Sequence, residues 1–199
     1  MSTWETPYGL DLVIDFVNTL DVDRGADELH SPSALDAWLA GHALTSAPAP
    51  SAGDRELGNA VELREALRTL MLANNGCAHG EHAADDAEYG ARELELAGCR
   101  LERAARRGEL GVHFAGGGAV DLAPSADGVD GALARLLVPV ARAMADGSWR
   151  RVKACRAAAC AWAFYDRSRN RSGVWCEMAV CGNRTKVRAY RERSPRPPR

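Results

Sequence analysis

Residues Cys155 to Arg193 read CRAAACAWAFYDRSRNRSGVWCEMAVCGNRTKVRAYRER, and four of the chain's six cysteines lie in this stretch. Cys155 and Cys160 are separated by four residues, Cys176 and Cys181 again by four, and the two pairs by fifteen. Tetrahedral zinc takes four donors at about 2.0–2.3 Å, and two short loops that each deliver two thiolates are a common way to converge them. The spacing therefore predicts one structural Zn²⁺ held by Cys155, Cys160, Cys176 and Cys181. The intervening AWAFYDRSRNRSGVW has the length of a β-hairpin, with Trp162, Phe164 and Trp175 as a miniature core and RSRN near the turn. So short a segment cannot fold on hydrophobic burial alone, so the metal is expected to supply much of its stability. The alternative is four buried thiols or a redox pair, but redox sites favour Cys-x-x-Cys. Cys77 and Cys99 have no such partners and read as ordinary thiols.

Charge divides the chain at about the same place. From Arg150 to Arg199 there are 14 Lys plus Arg against three acids, a formal +11, which leaves 11 basic and 24 acidic residues, or −13, for the preceding segment. Zn²⁺ with four thiolates contributes about −2, so the basic segment keeps about +9. A basic segment beside an acidic body predicts two jobs, one of them contact with a polyanion. The organisation expected is an acidic domain over 1–149, a zinc finger over 150–193 and a disordered tail over 194–199.

The 199 residues, 46% hydrophobic and 26% charged, are those of a globular protein with a real core. No apolar run approaches the roughly 18 residues of a membrane helix, and the N-terminus has no basic leader followed by an apolar stretch. A cytoplasmic protein without a membrane partner is the expectation, in a compartment where paired cysteines point to metal rather than disulfide.

Within the acidic segment, YGLDLVIDFVNTLD is apolar and β-branched and reads as a short strand or the start of a buried segment. Ser31 and Pro32 form an N-cap and first helical residue for SALDAWLAGHAL, with Leu35, Trp38 and Leu39 on one face. A second helix covers DRELGNAVELREALRTLM and ends at Asn-Asn-Gly. An Ala-rich helix is expected over about Glu81 to Leu96, two or three antiparallel strands within LERAARRGELGVHFAGGGAVDLAPS, and a last helix over VDGALARLLVPVARAMADG, kinked at Pro139. The fold class is α+β: a mainly helical N-terminal domain with a small antiparallel sheet, then a small treble-clef-like or ribbon-like zinc finger.

From Val152 to Tyr190 the residues resemble the CGNR-type zinc finger, whose name motif is present as Cys181-Gly182-Asn183-Arg184. The resemblance takes in both cysteine pairs, FYDRSRN, Trp175-Cys176, Lys186 and Arg188. Upstream, LDLVIDFVNTLD with LREALRTLM resembles the ABATE domain that accompanies this finger in bacterial proteins. The resemblance implies a stress-responsive transcriptional regulator. One departure is Gly173-Val174, where family members commonly carry basic residues, so no nucleic-acid contact is implied for those two positions.

After Cys181, Arg184, Arg188 and Arg191 fall at i, i+4 and i+7, so a helix carries three guanidinium groups along one face, with Lys186 nearby. Such forks contact phosphates or read guanine. Arg167, Arg169 and Arg171, spaced by two, would add phosphate contacts. Packing of these arginines against the acidic body is the bland alternative. In the body, Asp15, Asn18, Asp21 and Arg24 form a polar series that either lines an effector pocket or caps a helix and fixes a turn. His30, His42, His79, His82 and His113 are scattered, which argues against a catalytic metal site, and no nucleophile elbow, phosphate loop or dinucleotide fingerprint is present. The reading is a DNA-binding, non-enzymatic regulator, with an effector-sensing or dimerising body and a homodimer favoured because one short finger reads few base pairs. The other class is an enzyme or effector-binding body clamped by a structural finger; RNA binding would use the same arginines.

Overall fold

Leu10, Val13, Phe16 and Val17 sit at i, i+3, i+6 and i+7, and all four are buried on one face of a helix, α1 (Leu10–Asn18). The run is therefore a buried segment and not a strand: the β-branched residues favour strands only weakly, and burial of a helical stripe overrides that preference. The computed structural model describes residues 6–45, 51–76, 90–114, 117–157 and 159–193.

After α1 the chain makes a two-residue-per-strand antiparallel hairpin, β1 (Leu20–Asp21) and β2 (Ala26–Asp27). Helix α2 (Pro32–Gly41) starts as the sequence predicts, with Ser31 Oγ accepting the Ala34 N–H at 3.2 Å, and buries Leu35, Trp38 and Leu39. Helix α3 (Asp54–Ala73) opens with the Glu56 carboxylate accepting the Gly53 N–H at 3.0 Å and runs to Asn74.

The Ala-rich helix lies later than expected. It is α4 (Ala91–Arg107), and the part of the expected helix over 81–89 lies outside the described residues. LERAARR is its last two turns rather than the start of a sheet, because Ala97, Leu101 and Ala104 continue one packed stripe. Gly108 ends it where the chain at Ala134 passes so close that a Cβ would lie 2.2 Å from the Ala134 Cβ. Of the two or three strands expected, two are present among the described residues: β3 (Leu110–Phe114) and β4 (Val120–Pro124), in antiparallel register from Leu110↔Pro124 to Phe114↔Val120. Helix α5 (Gly128–Asp146) continues through Pro139 and ends at Gly147, in the left-handed region at φ +78°. It runs through the middle of the core, burying Val129, Leu133, Leu136, Val140 and Ala143.

The basic segment begins with a tight turn (Ser148–Arg151) and the antiparallel strands β5 (Val152–Ala154) and β6 (Ala163–Tyr165), and ends in α6 (Asn183–Arg193). The hairpin thus forms across the first cysteine pair, not within the fifteen residues between the pairs. The finger is a hairpin followed by a terminal helix. Trp162 is exposed rather than central to a miniature core, whereas Val152, Ala154 and Ala163 belong to the same apolar cluster as Phe16, Leu67 and Leu136. Among the described residues, no helix is long and apolar enough to cross a membrane.

Candidate metal centre

Cys155, Cys160 and Cys181 are each held in place by a backbone hydrogen bond of their own. Cys155 leaves β5 with its N–H on the Trp162 carbonyl at 2.8 Å, and Cys160 donates to Ala157 at 2.7 Å, closing the first loop. Ala161 then takes φ +50°, a left-handed conformation that reverses the chain into β6. Cys181 lies in the wide helical turn Met178–Gly182 that runs into α6, with its N–H on the Glu177 carbonyl at 2.9 Å. Gly182 has no room for a side chain: a Cβ would meet Met178 Sδ at 2.4 Å and Trp175 Cδ1 at 3.2 Å. Asn183 Nδ2 ties the turn to the Ala179 carbonyl at 3.0 Å, and the Thr185 hydroxyl donates to the Cys181 carbonyl at 3.0 Å.

The four sulfurs lie within 4.8 Å of one another, and among the described residues theirs is the one such cluster of potential metal ligands. Cys160 Sγ to Cys176 Sγ and Cys176 Sγ to Cys181 Sγ are each 3.7 Å. A tetrahedron with ligands about 2.3 Å from its centre has edges of about 3.8 Å, so these separations suit zinc–thiolate bonds and not S–S bonds. Burial and the neighbouring thiols push Cys181 up to about 11 and Cys176 higher still. Cys176 and Cys181 therefore need a cation beside them to become thiolates, which a divalent metal supplies. The donor set can hold one zinc ion. Cys155 and Cys181 are buried, and Cys160 and Cys176 half-buried.

A family model for the CGNR zinc finger matches residues 151–194. A second, the ABATE model, with the description "Putative stress-induced transcription regulator", matches residues 10–147. The chain belongs to the ABATE family. No curated protein matches it.

The ABATE body grips the CGNR finger through four side chains that sequence reasoning did not single out as site residues or assigned elsewhere. Asn18 pairs with the backbone of Ala163 in β6, its Oδ1 accepting the N–H at 2.7 Å and its Nδ2 donating to the carbonyl at 3.0 Å. Arg68 donates to the carbonyls of Val17 at 2.8 Å and Ala161 at 2.9 Å, joining α1 to the first cysteine loop. Asn74 Nδ2 reaches the carbonyls of Trp149 and Val152, and Asn75 Nδ2 that of Ala154. Next to Arg68, Arg64 forks onto Asp27 at 2.7 and 2.9 Å. The available signal was in α3: Arg64 and Arg68 interrupt the apolar stripe of Ala60, Leu63, Leu67 and Met71, where a charge must be paired to be buried.

Inside the CGNR finger, Lys153 is fully buried and its ammonium meets the Asp166 carboxylate at 2.8 Å. Burial pushes Asp166 up, but hydrogen bonds from Lys153 and Ser168 outweigh it and hold the carboxyl below its ordinary range.

The predicted contact residues divide into two exposed groups. Arg167, Arg169 and Arg171 are exposed on the loop after β6, and Arg184, Lys186 and Arg188 on α6. Arg191 is in the same helix. Arg184 is engaged within the ABATE protein, forking onto Asp23 in the β1–β2 turn. Within the polar series of the body, Asn18 bonds to β6 and the Asp21 carboxylate accepts the Arg24 N–H at 3.0 Å, while Asp15 lies on the exposed side of α1. His42 stacks on Trp38 with ring centroids 4.0 Å apart. His79, His82 and Cys77 lie outside the described residues.

Proposed function

We propose that this ABATE protein is a DNA-binding regulator without catalytic activity of its own, working in the cytoplasm. Its zinc-held finger contacts the duplex, and its acidic body senses an effector or dimerises. The observation that carries the reading is that two exposed sets of cations, Arg167, Arg169 and Arg171 on one loop and Arg184, Lys186 and Arg188 on one helix, belong to a single metal-organised segment. Guanidinium forks bind phosphate bidentately, and several of them on one rigid support make a phosphate-binding face. The family description agrees with a regulator. Substituting Arg184 and Arg188 together by Ala is expected to abolish duplex binding while leaving one zinc per chain; unchanged binding by that variant contradicts the assignment of α6.

The Arg184–Asp23 contact favours a second reading, in which the finger's arginines neutralise the acidic body and the finger is a structural clamp. That reading predicts no duplex binding even at low salt. RNA is separated from DNA by competition with a single-stranded RNA of mixed sequence.

A further inference from the structure

A lysine with no exposed surface has to be explained by what its ammonium does. Lys153 Nζ makes three hydrogen bonds: to Asp166 Oδ2 at 2.8 Å, to the Arg171 carbonyl at 2.6 Å and to the Gly173 carbonyl at 2.8 Å. Three protons meet three acceptors, so the ammonium is satisfied. Asp166, itself buried, accepts two backbone N–H groups as well, from Ser168 at 2.9 Å and Gly173 at 2.9 Å. Arg151 Nη1 closes the other side with bonds to the carbonyls of Asp166 and Ser168, each 2.9 Å.

The backbone of the loop over 166–173 is thus held from inside, and the side chains of Arg167, Arg169 and Arg171 are left on its exposed surface. Arg171 has φ +54°, a conformation that is costly outside glycine and persists only where the surroundings impose it. Its carbonyl is one of the two that Lys153 holds, the other being that of Gly173. Gly173 is required by the same arrangement, since a Cβ there would lie 2.7 Å from Asp166 Oδ1. The departure from a basic residue at this position thus has a structural reason.

A buried ion pair is a poor device for stability, because apolar residues of the same volume commonly do as well. Apolar residues cannot, however, hold two carbonyls and two N–H groups in place. We propose that Lys153, paired with Asp166, is the positioning residue of the arginine loop: it presents Arg167, Arg169 and Arg171 as a preformed phosphate-binding row, so that ordering the loop costs little on binding. This rests on the reading of the finger as a nucleic-acid-binding module.

The test compares zinc-loaded full-length wild type, Lys153→Met, the triple variant Arg167→Ala, Arg169→Ala, Arg171→Ala, and the combination of all four. Binding to labelled duplex DNA of mixed sequence is measured across salt concentrations. Each phosphate contact adds about 0.9 to the salt slope. Lys153→Met is expected to keep one zinc, to lose at least about tenfold in affinity, and to lower the slope by about 2 to 3, as the triple variant does. Adding Lys153→Met to the triple variant is expected to change nothing further. Wild-type affinity and slope in Lys153→Met, or losses that add fully in the combined variant, overturn the proposal. Should Lys153→Met fail to take up zinc, Asp166→Asn, which keeps the shape and one acceptor, is read in the same way.

Amide exchange keeps the two ideas distinguishable. If wild type binds no duplex at all, the nucleic-acid reading falls, while the positioning claim is still read from the N–H groups of Ser168 and Gly173. They are expected to be protected in wild type and to exchange freely in Lys153→Met. Equal protection in the two chains overturns the positioning role.

Discussion

The guanidinium of Arg184, the arginine of the CGNR motif, reaches from the first turn of α6 to the carboxylate of Asp23 in the β1–β2 turn, with contacts of 2.9 and 3.3 Å. The acidic body therefore occupies a residue of the proposed nucleic-acid face. Each partner draws the other toward its charged form: the bond from Arg184 holds Asp23 below the usual carboxylate range.

Removing that competitor is expected to help the finger. Both side chains are about half exposed, at 49% and 46%, so solvent and salt weaken the pair. Asp23→Asn is predicted to raise duplex affinity by about two- to fivefold at low salt, without changing the melting temperature measurably. The titration used for wild type checks this, with the effect fading as salt rises. A loss of affinity in Asp23→Asn contradicts the competition.

Metal removal is predicted to be felt beyond the finger. Val152, Ala154 and Ala163 are part of the body's own apolar cluster, so loosening β5 and β6 exposes Leu67 and Phe16 to a breached core. Cys176→Ser, or treatment of wild type with a chelator, is expected to release zinc and lower the melting temperature of the whole chain in one transition. Differential scanning calorimetry decides: an unshifted main transition with a separate small one contradicts the shared core.

Arg68 is predicted to matter to both parts at once. Arg68→Met leaves the buried carbonyl of Val17 and the half-buried carbonyl of Ala161 without their Arg68 donor, and leaves Glu65 with only Arg64 as its ion-pair partner. The expected loss is about 3 kcal/mol in urea unfolding, together with faster transfer of zinc to a chelator, because the first cysteine loop loses its support.

Acid sensitivity follows from Asp27. Burial pushes its carboxyl up, but the Arg64 hydrogen bonds outweigh that and set it below the ordinary value. A carboxyl with a lower pKa folded than unfolded stabilises the fold above its unfolded value of about 3.9, and that stability is lost as pH falls through the folded value. Asp27→Asn is expected to be less stable than wild type at pH 7, with the difference shrinking below about pH 4; urea unfolding at both pH values checks it.

Much of this molecule is legible in its sequence where the physics is local. The cysteine spacing, the Ser31-Pro32 helix start and the apolar stripe of α5 each depend on a few neighbouring residues. Helix α1 is not legible in that way, since its β-branched composition fits strand or helix until a core is available to bury the face of Leu10, Val13 and Phe16. Nor is the far end of α4, where alanine and arginine alternate and only packing of Ala97 and Ala104 shows the helix continuing. At the metal centre the ligands could be read from spacing alone. Their supports could not, because Asn18 and Ala163, or Arg68 and Ala161, are 145 and 93 residues apart. Buried charge in α3 was the one clue, and it does not name a partner.

Nucleic-acid binding by the zinc-held finger is tested most directly by titrating the metal-loaded chain against labelled duplex DNA of mixed sequence at two salt concentrations, beside a chelator-treated sample. Zinc-dependent binding that weakens steeply as salt rises is expected. Absence of binding at low salt, or binding that the chelator leaves untouched, contradicts it.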